Sequence, residues 1–371
     1  MHYFRPTFAE VNLENIKHNL KQFRRHVQPS ARLMAVVKAN GYGHGAVEAA
    51  RTSLAAGADW LSVALVEEGI QLRQSGIAAP ILLLGALSPN SLSAVFQYRL
   101  TPGIVDYATF AGLENEAIRQ RKRIGVHVKL DTGMGRLGIR SEKGLELVRA
   151  VMESSWLDLQ GIYTHFAAAD EDKGDFTAVQ FKQFALVVES IKSEKQDVIA
   201  HCANSAAAIA FPETHMDMVR IGISLYGYYP ADHMRSLIDL QPALSFYTRV
   251  AQLKEVPAGT PISYGRTFVT KRHSKIATLP VGYADGYWRL LSNRSAVLVR
   301  GKRAPLAGRV CMDYIMADVT GVEDVAVGDQ VVLYGRQGDE EISVDEIASL
   351  AGTINYEVTC ALSARVPRVY R

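Results

Sequence analysis

The chain has 371 residues, 48% of them apolar and 21% charged, with a formal net charge of +3. That length exceeds one ordinary hydrophobic core and predicts two domains. So small a net charge gives no basis for a nucleic-acid surface, and no apolar run, "APILLLGAL" included, approaches the roughly 20 residues that a membrane span requires.

The N-terminal "MHYFRPTFAEV" lacks the apolar core and cleavage site of a secretory leader, so a cytoplasmic protein is expected. From residue 32 to about 225, short β-rich runs alternate with amphipathic helical stretches. Eight strand candidates follow in order: "RLMAVVK", "WLSVAL", "PILLLG", "LTPGIV", "GVHVKLD", "DLQGIYTH", "DVIAHC" and "DMVRIG". Between them lie helical patterns such as "AVEAARTSLAAG" and "FKQFALVVESIKSEK". Alternation of this kind implies parallel strands joined by crossover helices, and eight units in about 200–250 residues match a (β/α)8 barrel of the TIM type. A doubly wound open sheet is the alternative, but no G-x-G-x-x-G follows the first strand. The barrel is expected over residues 1–240. Beyond it, "LSFYTRVAQLKEV", "KIATLPVGY", "SAVLVRG", "YIMADVT" and "QVVLYG" are short β runs between turns, with one helical piece, "VDEIASLAG". Residues 241–371 therefore read as a mostly β domain. Cys202, Cys311 and Cys360 have no CxxC spacing and read as free thiols rather than a disulfide frame or metal site.

The unusual polar residues fall at the C-terminal ends of the barrel strands, the rim where barrel active sites are built. Lys38 closes the first strand before a loop with three glycines. Lys129 and Asp131 close the fifth, followed by Arg136, and His165 closes the sixth. Asn204 and Ser205 follow the seventh, and Arg220, Gly222 and Ile223 end the eighth. Segments after the last two strands of such barrels often cradle a phosphate, because free N–H groups at a helix start suit an anion. A lysine in an apolar setting has its pKa lowered and presents a neutral amine that forms Schiff bases. A phosphate site facing a Schiff-base lysine suggests pyridoxal 5'-phosphate (PLP).

Nine blocks then carry a resemblance in register. "AVVKANGYGHG", "VKLDTGMGRLG", "THFAAAD", "HCANSAAA", "VRIGISLYG", "SYGRTF", "GYADGY", "GRVCMDYIMADVT" and "INYEVTCALSARVPRVY" resemble the alanine racemase family over essentially the whole length. The resemblance implies an N-terminal PLP barrel whose first residues join the C-terminal β domain. It also implies interconversion of L- and D-alanine for peptidoglycan. Taken alone, Lys38 would read as a snorkelling strand-end lysine. By resemblance it carries PLP and acts as one of two acid–base groups. Tyr264, otherwise a surface aromatic, is implied to be the second base, delivered from the other subunit of a homodimer. Two bases are chemically sensible, because a proton must leave one face and return on the other. His165 and Arg220 are implied to support Tyr264, with Arg220 facing the pyridine nitrogen. Tyr42, Tyr356, Asn204, Ser205, Gly222 and Ile223 are implied to hold the phosphate end. Arg136 is implied to lie near the PLP phenolic oxygen and the substrate carboxylate, the backbone of Met312 is an implied substrate-carboxylate contact, and Asp170, Tyr283, Arg289 and Tyr356 narrow the entrance. Lys129 has two readings: a strand-end pair with Asp131, or a carbamylated lysine holding Arg136. A non-catalytic PLP barrel and a barrel-type PLP amino-acid decarboxylase are the competing functions.

Overall fold

The computed structural model describes residues 4–371, which divide into two compact units. One comprises Glu14–Gly41 and Gly45–Pro242, and the other combines Ala243–Arg371 with Tyr42–His44 and the N-terminal stretch up to Leu13.

The first unit is the barrel that the alternation predicts. Its strands are Arg32–Val36, Trp60–Val63, Ile81–Leu83, Thr101–Ile104, Ile124–Asp131, Leu157–Tyr163, Ile199–His201 and Met218–Ile221. The first seven each pair in parallel with their neighbours in sequence, and the eighth pairs in parallel with the first through Met218–Arg32 to Ile221–Ala35. Between the seventh and eighth strands, the N–H groups of Asp217 and Arg220 donate to the carbonyls of Ala200 and Ala203 at 3.1 and 3.0 Å, bringing the sheet close to closure. Met34, Trp60, Leu82, Ile199 and Met218 pack together as an apolar cluster inside this unit. The helix Tyr107–Gln120 begins where Asp106 accepts from the N–H of Thr109 at 2.7 Å, which satisfies one of the donors left free at a helix start.

The second unit is mostly β. Its largest sheet runs Lys302–Pro305, Ala296–Val299, Gln330–Gln337, Leu244–Arg249, Phe8–Val11 and Arg368–Tyr370, with Glu340–Ile342 also paired to Gln330–Gln337. Phe8–Val11 is antiparallel to Leu244–Arg249 and parallel to Arg368–Tyr370. Gln252–Val256, Ser274–Leu279 and Ile315–Asp318 form a three-stranded sheet. Pro261–Ile262 and Phe268–Val269 form a small hairpin whose loop is "SYGRT", residues 263–267. The helix Val344–Ala351 is capped by the Ser343 hydroxyl accepting from Glu346 N–H, and stops at Gly352, whose φ of 75° suits glycine.

Candidate active site

The strand that leads to Lys38 ends at Val36, and the backbone then does something the glycines only partly explain. Ala39, Asn40 and Gly41 adopt left-handed φ/ψ of 51/51°, 52/46° and 62/44°, and Tyr42 continues with φ 51°. Left-handed backbone costs roughly 1–2 kcal/mol per non-glycine residue, so the turn persists only because its surroundings hold it. Gly41 N–H donates to Val37 O at 2.9 Å, Gly45 N–H to Asn40 O at 2.8 Å, and Ala46 N–H to Asn40 Oδ1 at 3.0 Å. Lys38 is left half-buried at the head of this turn.

A buried polar chain runs from Arg220. Its guanidinium donates to His201 Nδ1 (3.0 Å), His201 O (3.1 Å), Thr164 O (2.8 Å), Cys202 O (2.9 Å) and His165 Nδ1 (3.2 Å). Among the described residues Arg220 forms no ion pair with a carboxylate. A guanidinium can only donate, so both histidines must offer a lone pair at Nδ1 and carry their proton on Nε2. His201 Nε2 therefore donates to His127 Nδ1 at 2.8 Å, which sends the His127 proton to Nε2 in turn. That last nitrogen is buried without a partner. Tyr163 stacks on His201 with ring centroids 4.9 Å apart and planes within 3°. Burial, reinforced by Arg220, holds His165 and His201 well below the ordinary histidine pKa and His127 at about 3, so all three are neutral.

Lys129 and Arg136 lie in the same electrostatic environment. Lys129 is 4% exposed, and burial, then Arg136 and Arg220, push its pKa down to about 8, with Asp131 opposing and Lys38 adding to the effect. Asp131 is not its close partner: among the described residues no ion pair joins the two, and Asp131 Oδ1 accepts from Gly133 and Gly135 N–H, each at 3.0 Å. Nearby cations Lys38, Lys129, Arg136 and Arg220 suit a ligand bearing several negative charges. The seventh and eighth strand ends add a small cradle. Asn204 caps the helix Ser205–Ala210 by accepting from Ala207 N–H, and Gly222 N–H donates to Ser205 Oγ at 2.8 Å. Ile223 begins a short 3-10 turn directly after Gly222. A cationic set with an amine and a hydroxyl-lined turn fits PLP.

In the second unit Tyr264 sits in the hairpin loop and is 69% exposed. Ser263 before it has φ 64° and ψ −178°, and its hydroxyl donates to Arg309 O at 2.7 Å. Met312 is 52% exposed, and its carbonyl accepts from Ala284 N–H while Cys311 O accepts from Tyr283 N–H, so Tyr283 and Met312 share one surface. Arg289 is exposed too. Tyr42 and Tyr356 meet at 6.2 Å between ring centroids. Asp170 is exposed on the barrel unit. His127, His201 and Tyr163 escape the sequence reading. The signal available was faint: "VHVKL" and "IAHC" each place a histidine inside an otherwise apolar strand.

Both halves of the chain match known proteins. Residues 11–230 match the family model "Alanine racemase, N-terminal domain", and residues 243–370 match "Alanine racemase, C-terminal domain". The chain is 48% identical over 370 residues to alanine racemase of Desulforamulus reducens, covering 98% of this chain and 99% of that one. It is 47% identical over 368 residues to the Halothermothrix orenii enzyme, covering 99% and 97%. Among solved structures, alanine racemase of Clostridium difficile 630 superposes with a TM-score of 0.95 at 36% identity, covering 100% of this chain and 97% of that one. Alanine racemase from Bacillus anthracis with bound L-Ala-P superposes with a TM-score of 0.93 at 38% identity, covering 100% and 96%. With both halves of the chain matched and nearly half its residues shared with full-length relatives, this protein belongs to the alanine racemase family.

Proposed function

We propose that this protein interconverts L- and D-alanine with PLP at the barrel rim, using two bases on opposite faces, and so supplies D-alanine for peptidoglycan. The observation that carries the reading is the pairing of Lys38, at a strand end among other cations, with a buried Arg220 that fixes the proton on His165. Membership of the family supports the same activity, and the Bacillus anthracis relative bound to L-Ala-P supports alanine as the substrate. When bound, PLP supplies an aldehyde for amine condensation and a ring that acidifies the Cα–H bond.

The remaining steps belong to the chain. Lys38 holds the cofactor and then exchanges a proton with alanine Cα on one face. Tyr264 does so on the other, which requires its phenol to lose a proton near neutral pH. His165 helps, because its Nδ1 is occupied by Arg220 and its Nε2–H is available as a donor to the tyrosine oxygen. Arg220 cannot give up a proton at neutral pH, so a cofactor ring nitrogen placed against it would receive no proton from this side chain and would draw electrons less strongly. Asn204, Ser205, Gly222, Ile223, Tyr42 and Tyr356 hold the phosphate end. Arg136 and the N–H of Met312 take the substrate carboxylate, with Lys129 bracing Arg136 once its amine carries a carbamate. Asp170, Tyr283, Arg289 and Tyr356 restrict entry to small amino acids.

Tyr264 and Met312 act on the site of a second subunit in this reading. Exposed Tyr264, Tyr283, Leu290, Met312 and Tyr314 are the kind of apolar surface that a homodimer covers. One experiment tests the function: incubate the purified protein with L-alanine and assay the product with a D-amino-acid-specific oxidase. D-alanine accumulates with wild type and not with Lys38→Ala. No D-alanine from yellow, PLP-loaded wild type would remove the proposal.

A further inference from the structure

The left-handed turn after Lys38 is held at its first residue by a carboxylate from outside its own loop. Glu68 lies in the first turn of the helix Val66–Gln74, beyond the second barrel strand. Its Oε2 accepts from the N–H groups of Ala64 (2.8 Å) and Leu65 (3.0 Å), which caps the start of its own helix. Its Oε1 accepts from Ala39 N–H at 2.6 Å. Capping accounts for the first oxygen only. The second reaches across to the residue that follows Lys38, at the first left-handed position of the turn. Ala39 has no side-chain device of its own that favours φ 51°, unlike Asn40 and Gly41 beside it.

We propose that Glu68 is a positioning residue for Lys38. By holding Ala39 N–H it keeps the turn left-handed, and so fixes the direction in which the Lys38 side chain leaves the backbone. The proposal rests on Lys38 being the lysine that carries PLP. A neutral amide shows why a carboxylate is needed. Glutamine has one acceptor oxygen, and the helix start offers two N–H groups against one at Ala39. In Glu68→Gln the oxygen stays on the cap, and the amide NH2 faces Ala39 N–H, donor against donor. The helix survives while Ala39 loses this hydrogen bond.

The test uses full-length protein stripped of cofactor and titrated with PLP, read by visible absorbance and quenching of tryptophan fluorescence. Borohydride reduction and peptide mapping then locate the attached PLP. Glu68→Gln should bind PLP about tenfold or more weakly, the usual effect of losing a charge-assisted hydrogen bond, with little change in melting temperature. Adding Ala39→Gly should restore part of the affinity, because glycine takes the left-handed conformation at no steric cost. Wild-type affinity in Glu68→Gln, with the label on Lys38, overturns the proposal. So does a double variant that binds no better than Glu68→Gln. A Glu68→Gln protein that loses its fold also overturns it, since the carboxylate would then be a general structural support. A label on another lysine in wild type removes the Lys38 assignment itself, whatever Glu68 does.

Discussion

Lys129 offers a test in which two chemistries predict opposite signs. As a plain amine it is a buried group pressed by Arg136 and Arg220, and its pKa falls from 10.5 to about 8. That gap corresponds to roughly 3 kcal/mol disfavouring the ammonium form in the folded protein. Because the folded pKa lies below the unfolded one, this penalty is complete below about pH 8 and fades as pH rises from there toward 10.5. In carbon-dioxide-free buffer at pH 7, Lys129→Met should therefore stabilise the cofactor-free protein by up to about 3 kcal/mol, raising its melting temperature by several degrees. The same depressed pKa makes the amine reactive: roughly a tenth of it is neutral at pH 7, against well under a hundredth for an ordinary lysine. With bicarbonate present, a carbamate on Nζ turns repulsion of Arg136 into charge-assisted hydrogen bonding. Lys129→Met then removes a favourable partner and should lower the melting temperature. The assay is thermal unfolding of wild type and Lys129→Met with and without bicarbonate, with 13C-labelled bicarbonate to detect the carbamate carbon by NMR. Lys129→Ala should also lose racemase activity, with partial recovery on adding acetate. Wild type that ignores bicarbonate and shows no carbamate signal would refute the carbamylation reasoning and leave Lys129 a plain amine.

Three further outcomes follow from the site. Tyr264→Phe should nearly abolish exchange of the α-proton of one enantiomer while PLP still attaches to Lys38; exchange surviving equally from both would exclude Tyr264 as a base. Mixing inactive Lys38→Ala with inactive Tyr264→Phe under proven subunit exchange should restore part of the activity, because each heterodimer has one site free of both lesions, and no recovery would place both groups in one chain. The folded pKa values of His127, His165 and His201 lie below the free histidine value of 6.5, so their neutral state favours folding above that pH and the benefit drains away as pH falls below it, through about 3 for His127. NMR of their ring protons should show no titration between about pH 8 and 6, and a shift in that window would break the tautomer assignment.

The sequence reveals the eight barrel strands because most of them are predominantly apolar runs, the pattern left by strands buried on both faces. It also locates Lys38, His165 and Arg220 at the rim, since a charge or imidazole that ends such a run stands out against its neighbours. Other features leave no such mark. Ala39 and Tyr42 have no left-handed preference, so the turn arises from tertiary hydrogen bonds that local propensity does not encode. Phe8–Val11 pairs with strands more than 230 residues away, a distance at which alternation carries no pairing information. Lys129 and Asp131 invite pairing by their spacing, but the glycine-rich loop after Asp131 captures its carboxylate with backbone N–H groups. Glu68 looks like an ordinary helix cap, and its second oxygen acquires meaning only once the fold brings Ala39 to it.

Arg220 links these observations to the chemistry. A buried cation normally demands a carboxylate, yet here its donors end on three carbonyls and two imidazoles. Burial pulls its pKa to about 10, which still leaves it charged at neutral pH. A carboxylate in place of those acceptors would quench the charge and leave the histidine tautomers open. Neutral acceptors keep the full positive charge at the rim and force every proton along the chain to the far nitrogen of its ring. The same residue thus sets the electrostatics that suit an anionic cofactor and the direction in which His165 offers its proton. Lysine could supply the charge, but not a planar fork of donors able to engage His165 and His201 together.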